Sequence, residues 1–265
     1  MRDWKNLLVN DVDAFNAEID NVPEEQRTMF RATDLSGLDL IKARTYYLDL
    51  TESNLKGTRV DGGALATCKL ENTILDDLIV DDPYWSKEIE VIARLWKGAE
   101  IWNASKEPNI PIVLANNNFS GARFDEMDLS DVSFTHCAFP KGRFVKVDLK
   151  DASFNGSNMA GTIFEEIQSR AVSFQRADLS GSKWAEIELK HSKFNEANLV
   201  KASMKKMKFW NTSFIDAKCM GASFEDCHFK ECLFFDTDFT GAKFVNCQFE
   251  DSEVEYAIIE GVIGL

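Results

Sequence analysis

The sequence predicts an all-β solenoid wound from five-residue units, four to a coil, and three observations carry that prediction. First, stepping by five from Phe119 through Phe124, Leu129 and Phe134 to Val254 and Ile259 visits 29 positions in one phase, and 17 of the chain's 20 phenylalanines fall on them. Only Phe15, Phe30 and Phe235 do not. Second, between Asn117 and Ile259 none of the 22 acidic and 17 basic residues occupies one of these centres or the position two residues earlier, which holds small or apolar side chains such as Ala122, Val132, Cys137 and Ala177. An ionised side chain is almost never buried without a partner, so these two slots of each unit face inward. Third, Gly121, Gly161, Gly181, Gly221, Gly241 and Gly261 each follow a centre by two residues, at intervals of 20 or 40, and Gly37 and Gly57 repeat the interval of 20. A period of five matches neither a helix nor a flat strand, so each unit joins an extended piece to a turn. The glycine interval then closes one coil every 20 residues, with the glycines stacked where a tight turn favours them.

The elements follow in chain order. Residues 1–30 lie outside the repeat, but Leu8, Val12, Phe15 and Ile19 form an apolar stripe at helical spacing, which predicts a helix from about Asp3 to Ile19. Such a helix caps the solenoid, because an open coil end exposes unpaired strand edges. Residues 31–80 form a first repeat block with centres at Leu35, Leu40, Thr45, Leu50, Leu55, Val60, Leu65, Leu70, Leu75 and Val80. Residues 81–116 are an insertion that changes the phase: earlier centres are multiples of five, and later ones end in four or nine. Within it Asp82 and Pro83 suit a helix N-cap and first turn, Trp85, Ile89, Ile92 and Trp96 mark one face, and Gly98 stands at a C-cap. Residues 117–265 form the second repeat block, which ends in the apolar run Tyr256, Ile258, Ile259, Val262, Ile263 and Leu265.

The units Ala177–Gly181 (ADLSG), Ala197–Lys201 (ANLVK) and Ser53–Gly57 (SNLKG) resemble those of the pentapeptide-repeat family, A(D/N)LXX. That resemblance implies a right-handed quadrilateral β-helix; with 10 plus 29 units it would have about ten coils and be roughly 45 to 50 Å long at ~4.8 Å per coil. The stretch from Leu7 to Ala17 is similar to the helical lead-in of bacterial members. The resemblance also implies that an Asp or Asn before a centre forms the turn, and that uncapped apolar carboxyl ends pair as dimers, with a frayed last coil as the alternative. Tyr256, Ile258, Ile263 and Leu265 are the dimer-interface candidates.

Catalytic signatures are missing from the residues. His136, His191 and His228 fall at outward positions without metal-ligand spacing, and no CxxC, GxGxxG, Walker or GxSxG motif occurs. All six cysteines (Cys68, Cys137, Cys219, Cys227, Cys232, Cys247) face inward and read as buried thiols. No cofactor, metal or enzymatic activity is expected. No run of 18 apolar residues and no apolar leader after Met1-Arg2-Asp3-Trp4 occurs, so a cytoplasmic, non-membrane protein is the expectation. A net charge of −14 disfavours direct nucleic-acid binding and permits a basic partner.

The functional expectation is therefore a protein-binding scaffold that uses the solenoid faces and the insertion, where Trp85, Trp96 and Trp102 either pack onto the core or meet a partner. The family resemblance implies an alternative: a DNA mimic that binds a type II topoisomerase such as DNA gyrase and protects it from quinolones. Asp128, Asp131, Asp148 and Asp151 would be its acidic patch, although Lys201, Lys205, Lys206 and Lys208 interrupt any continuous stripe.

Overall fold

The computed structural model describes residues 2–107 and 110–264; Leu265, one of the dimer-interface candidates, lies outside the described residues. The chain divides into two compact units, Met1–Lys97 and Gly98–Leu265. In both, the chain winds as a right-handed quadrilateral β-helix in which every parallel pairing joins residues 20 apart.

Unit 1 begins with two helices where the sequence predicts one. Helix α1 spans Trp4–Asn10 and α2 spans Val12–Ile19. The break is at Asp11, whose backbone leaves the helical region (φ −150°) while its carboxylate accepts the Ala14 amide as an N-cap. Phe15 and Ile19 are fully buried, and Phe15 meets Phe30 at the start of the repeats with ring centroids 6.0 Å apart. Asn16 serves the first coil edge directly: its amide donates to the Lys42 carbonyl at 2.9 Å and its oxygen accepts the Arg44 amide at 2.7 Å. The coils pair through Asp34–Asn54–Ile74 and Asp39–Arg59–Ile79.

At one corner the five-residue unit gives way. Leu65 is a buried centre, but it lies on a short helix, α3 (Gly62–Ala66), N-capped by Asp61. Helix α4 (Pro83–Trp96) packs there, and a Cβ on Gly62 would sit 2.2 Å from that of Trp85, so only glycine fits. Ile89, Ile92 and Leu95 bury the apolar face of α4, while the centres Leu75 and Val80 beside it are half-buried.

Unit 2 opens with a helix that the insertion pattern did not show, α5 (Ala99–Ser105). Gly98, read as a C-cap, is the N-cap position of α5, with φ 91°. The coils then build seven- and five-stranded parallel sheets on two faces, with isolated bridges on the other two. Every centre from Phe119 to Phe244 is buried except Ser169. Along one inner corner Phe134, Phe154, Phe174, Phe194, Phe214 and Phe234 stack at 4.9–5.2 Å, a single aromatic column. Inward hydroxyls are satisfied within the wall: Ser157 and Thr162 donate to the Phe134 and Phe139 carbonyls.

The corners carry a surprise. Every fifth residue from Asn116 to Gly261 has a positive φ, whether or not it is glycine. The glycine interval that revealed the coil thus marks one of four equivalent left-handed corners; the others hold Asp131, His136, Lys146 or Glu186 in the same backbone state. Left-handed geometry costs an L-residue roughly 1–2 kcal/mol, which the flanking ladder hydrogen bonds offset.

Candidate functional site

The sequence candidates do not converge on one place. Two of them, Trp102 and Asp128, meet at the first full coil of unit 2. One coil later the backbone amide and carbonyl of Asp148 pair with Met127 and Leu129 of the coil before. At the Glu126–Asp128 edge α5 supplies the partners from side chains: Asn103 Oδ1 accepts the Asp128 amide (2.8 Å), Asn103 Nδ2 donates to the Glu126 carbonyl (3.0 Å), and Trp102 Nε1 donates to the Asp128 carbonyl (2.6 Å). Lys106, with its side chain only 5% exposed, closes the junction through Asp128 Oδ1 (2.7 Å) and Ser130 Oγ (2.6 Å). Trp102 is 2% exposed and is thus spent on this edge rather than presented outward. Trp85 is half-buried over Gly62 and Gly63 of α3, and Trp96 is half-buried on α4.

The four aspartates of the acidic patch do line up, with Asp128 paired to Asp148 across the ladder and Asp131 and Asp151 at successive left-handed corners. Their charge is partly consumed. Asp128 holds Lys106 as well as the Ser130 amide and hydroxyl. Burial pushes its carboxyl pKa up, but the hydrogen bonds from Lys106 and Ser130 outweigh that and hold it below the usual carboxylate range. Asp148 accepts the Lys150 amide, the turn expected of an aspartate before a centre, and Asp151 lies 3.8 Å from Lys150.

Further along unit 2 several outward charges face an opposite charge one coil away. Arg176 pairs with Glu196 (2.8 Å), Lys205 with Glu225 (2.7 Å), Lys206 with Glu186 (2.8 Å) and Lys230 with Glu250 (2.5 Å), each across one step of 20 residues. Hydrogen bonds from these cations hold the carboxyls of Glu186, Glu196 and Glu250 below their ordinary range. At these four places the outward surface carries pairs of opposite charge rather than a run of one sign.

The histidines remain apart. His136 lies over Gly156, where a Cβ would meet its Nδ1 at 2.4 Å, and His228 sits 3.4 Å from Glu250. Among the described residues no group of three or more His, Cys, Asp or Glu could hold a metal ion, and no helix is long and apolar enough to cross a membrane. At the last coil Phe249 is 39% exposed, Ile258 50%, Ile263 61% and Tyr256 79%, so the apolar carboxyl end stands uncovered in this chain.

Parallel coils of four five-residue units, inward centres and left-handed corners define a β-solenoid repeat protein. The chain belongs to the pentapeptide-repeat family: the family described as pentapeptide repeat region matches residues 127–204 and 187–262. Among solved structures it is similar to QnrB1, a plasmid-mediated fluoroquinolone resistance protein, at 14% identity over 87% of this chain and 91% of that one (TM-score 0.42). It is also similar to HetL, a pentapeptide-repeat protein involved in heterocyst differentiation regulation in the cyanobacterium Nostoc, at 13% identity over 87% and 86% of the two chains (TM-score 0.23). No curated protein matches the sequence.

Proposed function

We propose that the chain is a non-enzymatic scaffold that binds another protein through the outward faces of its β-helix and the apolar carboxyl-terminal coil. The observation that carries this reading is the cluster of Val254, Tyr256, Ile258, Ile259 and Ile263, all at least 50% exposed. Contiguous exposed apolar surface marks an interaction site. A second copy of the chain is the first occupant expected. Light scattering coupled to size exclusion tests it: the wild type should run as a dimer, and the pair Ile258→Lys with Ile263→Lys as a folded monomer. A wild type that stays monomeric at tens of micromolar would remove the homodimer. Affinity capture at moderate salt, repeated with Trp85→Ala and Trp96→Ala, then asks whether the half-buried α4 tryptophans also touch a partner.

The second reading is a DNA mimic that binds a type II topoisomerase. What favours it is the register of Asp131 with Asp151 and the exposed Asp148 beside them, in a chain of net charge −14. What weighs against it is the pairing of acids with lysines and arginines one coil away. A gyrase supercoiling assay decides: neither inhibition nor protection from a quinolone at micromolar protein ends the mimic reading.

A further inference from the structure

Cys227 and Cys247 occupy the same inward slot one coil apart. On one side of them His228 and Gln248 are ladder partners, and on the other Asn246 donates to Asp226 across the same step at 3.2 Å. The thiols repeat each other's surroundings. Cys227 Sγ donates to the carbonyls of Met204 (3.5 Å) and Glu225 (3.4 Å), and Cys247 Sγ to those of Phe224 (3.4 Å) and Val245 (3.6 Å), the same two positions a coil later. Adjacent parallel strands lie ~4.8 Å apart, within the roughly 4.4–6.8 Å between Cα atoms that a disulfide spans. Elsewhere this column holds Met127, Val147, Ile167, Ile187 and Met207, so two successive cysteines interrupt an aliphatic run.

Their exposures differ in a useful way. Cys227 is fully buried, whereas Cys247 is half-buried on the coil that leaves Phe249 in solvent. The adjacent Cys227 lowers the Cys247 pKa, against the opposing effects of partial burial and Asp226. The same contact, together with burial, pushes Cys227 up. Burial pushes Cys68 up to about 12 and Cys232 to about 11, so Cys247 is set apart from them.

We propose that Cys247 and Cys227 are a reversible oxidative modification site, in which a hydroperoxide converts the two thiols into a disulfide that staples the last coil to the one before. The Cys247 thiolate attacks a peroxide oxygen; the O–O bond breaks, hydroxide leaves and takes up a proton as water, and Cys247 becomes a sulfenic acid. The Cys227 sulfur then attacks the Cys247 sulfur, the S–O bond breaks, a second water leaves with the Cys227 proton, and the S–S bond forms. Two thiols and one hydrogen peroxide give one disulfide and two waters, and the two electrons lost by sulfur reduce the peroxide.

The test treats the reduced full chain with a few equivalents of hydrogen peroxide, blocks remaining thiols with N-ethylmaleimide and maps the peptides by mass spectrometry. Of the six thiols, none of them in a disulfide in this structure, two should be lost, the peptides bearing Cys227 and Cys247 should be joined, and dithiothreitol should restore both. Cys227→Val, which introduces the side chain found at Val147, should leave Cys247 as a sulfenic acid that dimedone traps. Six alkylated thiols after peroxide, a bridge between two molecules, or sulfinic acid at Cys247 with Cys227 still alkylated would each overturn the proposal. The wild-type map decides the matter alone should the variant fail to fold.

Discussion

The junction of α5 with the first coil of unit 2 makes an asymmetric prediction. Replacing Asp128 by Asn should destabilise that coil more than replacing Lys106 by Met. Asn keeps the turn, because Asn118 already makes the same one, accepting the Ser120 amide at 3.0 Å and its hydroxyl at 2.6 Å. The exchange therefore removes charge and little else, and it leaves the Lys106 ammonium 95% buried without its carboxylate. For unit charges about 2.7 Å apart, Coulomb's law gives roughly 6 kcal/mol at an effective dielectric of about 20 and about 1.5 kcal/mol in water. The Asp128 side chain is 46% exposed, so screening draws the loss toward the lower figure, about 2 kcal/mol. Lys106→Met keeps an apolar stem in place and leaves Asp128 with its Ser130 partners and solvent, a loss of about 1 kcal/mol or less.

Repeat arrays unfold in parts, so the measurement is native-state hydrogen exchange at the amides of residues 126–131, compared with those near Phe214. Acid should mimic the Asn variant. The folded-state pKa of Asp128 is depressed, so its contribution is complete above the unfolded carboxylate value, about 3.9, and is lost as pH falls through the lower folded value. Equal or greater loosening in Lys106→Met than in Asp128→Asn would refute the reasoning, since it would make the lysine's packing rather than the ion pair the source of order.

Three other outcomes follow from the geometry. Asn103→Ala should speed exchange at the Asp128 amide and cost about 1 kcal/mol locally, because the two edge hydrogen bonds pass to water; unchanged exchange would mean the edge is held by Trp102 alone. Gly156→Ala should cost more in thermal unfolding than Gly181→Ala, since both lie at positive φ but only the first meets a ring, that of His136; adding His136→Ala should bring the two to a common penalty of about 1 kcal/mol. Ser169→Leu, matching Leu149 and Leu189 in its column, should raise stability by about 1 kcal/mol by burying apolar surface and removing a hydroxyl without a partner, and a lower melting temperature would show that the neighbours already fill that space.

The inward register was legible because it is a rule about charge. A lysine or glutamate at a centre would stop the coil, and none occurs from Asn117 to Ile259. The same rule says nothing about what ends a coil. Leu65 satisfies the apolar pattern equally well on a helical turn, and only the approach of Trp85 to Gly62 shows why the chain curls there. Asp11 reads as one polar residue within a helical stripe; its choice to cap Ala14 splits the helix, a local competition that periodicity does not see. The tryptophans of the insertion drew attention as possible contacts, yet Trp102 acts with Asn103 as a substitute strand edge. Asn103 carried no signal, because it works through a residue 25 positions away. The acidic patch was visible as composition, while its neutralisation by Lys106 was not, since that pairing depends on how the insertion returns.

The step of 20 residues in every ladder has a consequence for how such a surface changes over time. Gain or loss of a whole coil of 20 residues within unit 2 lengthens or shortens it and leaves each side with its own decoration. Gain or loss of a single five-residue unit keeps every centre apolar and every corner left-handed, yet moves all downstream decoration one side around the axis, a quarter turn. The core acts as a vernier: short insertions rephase whole columns of surface chemistry at once, without a single substitution and without a defect in packing.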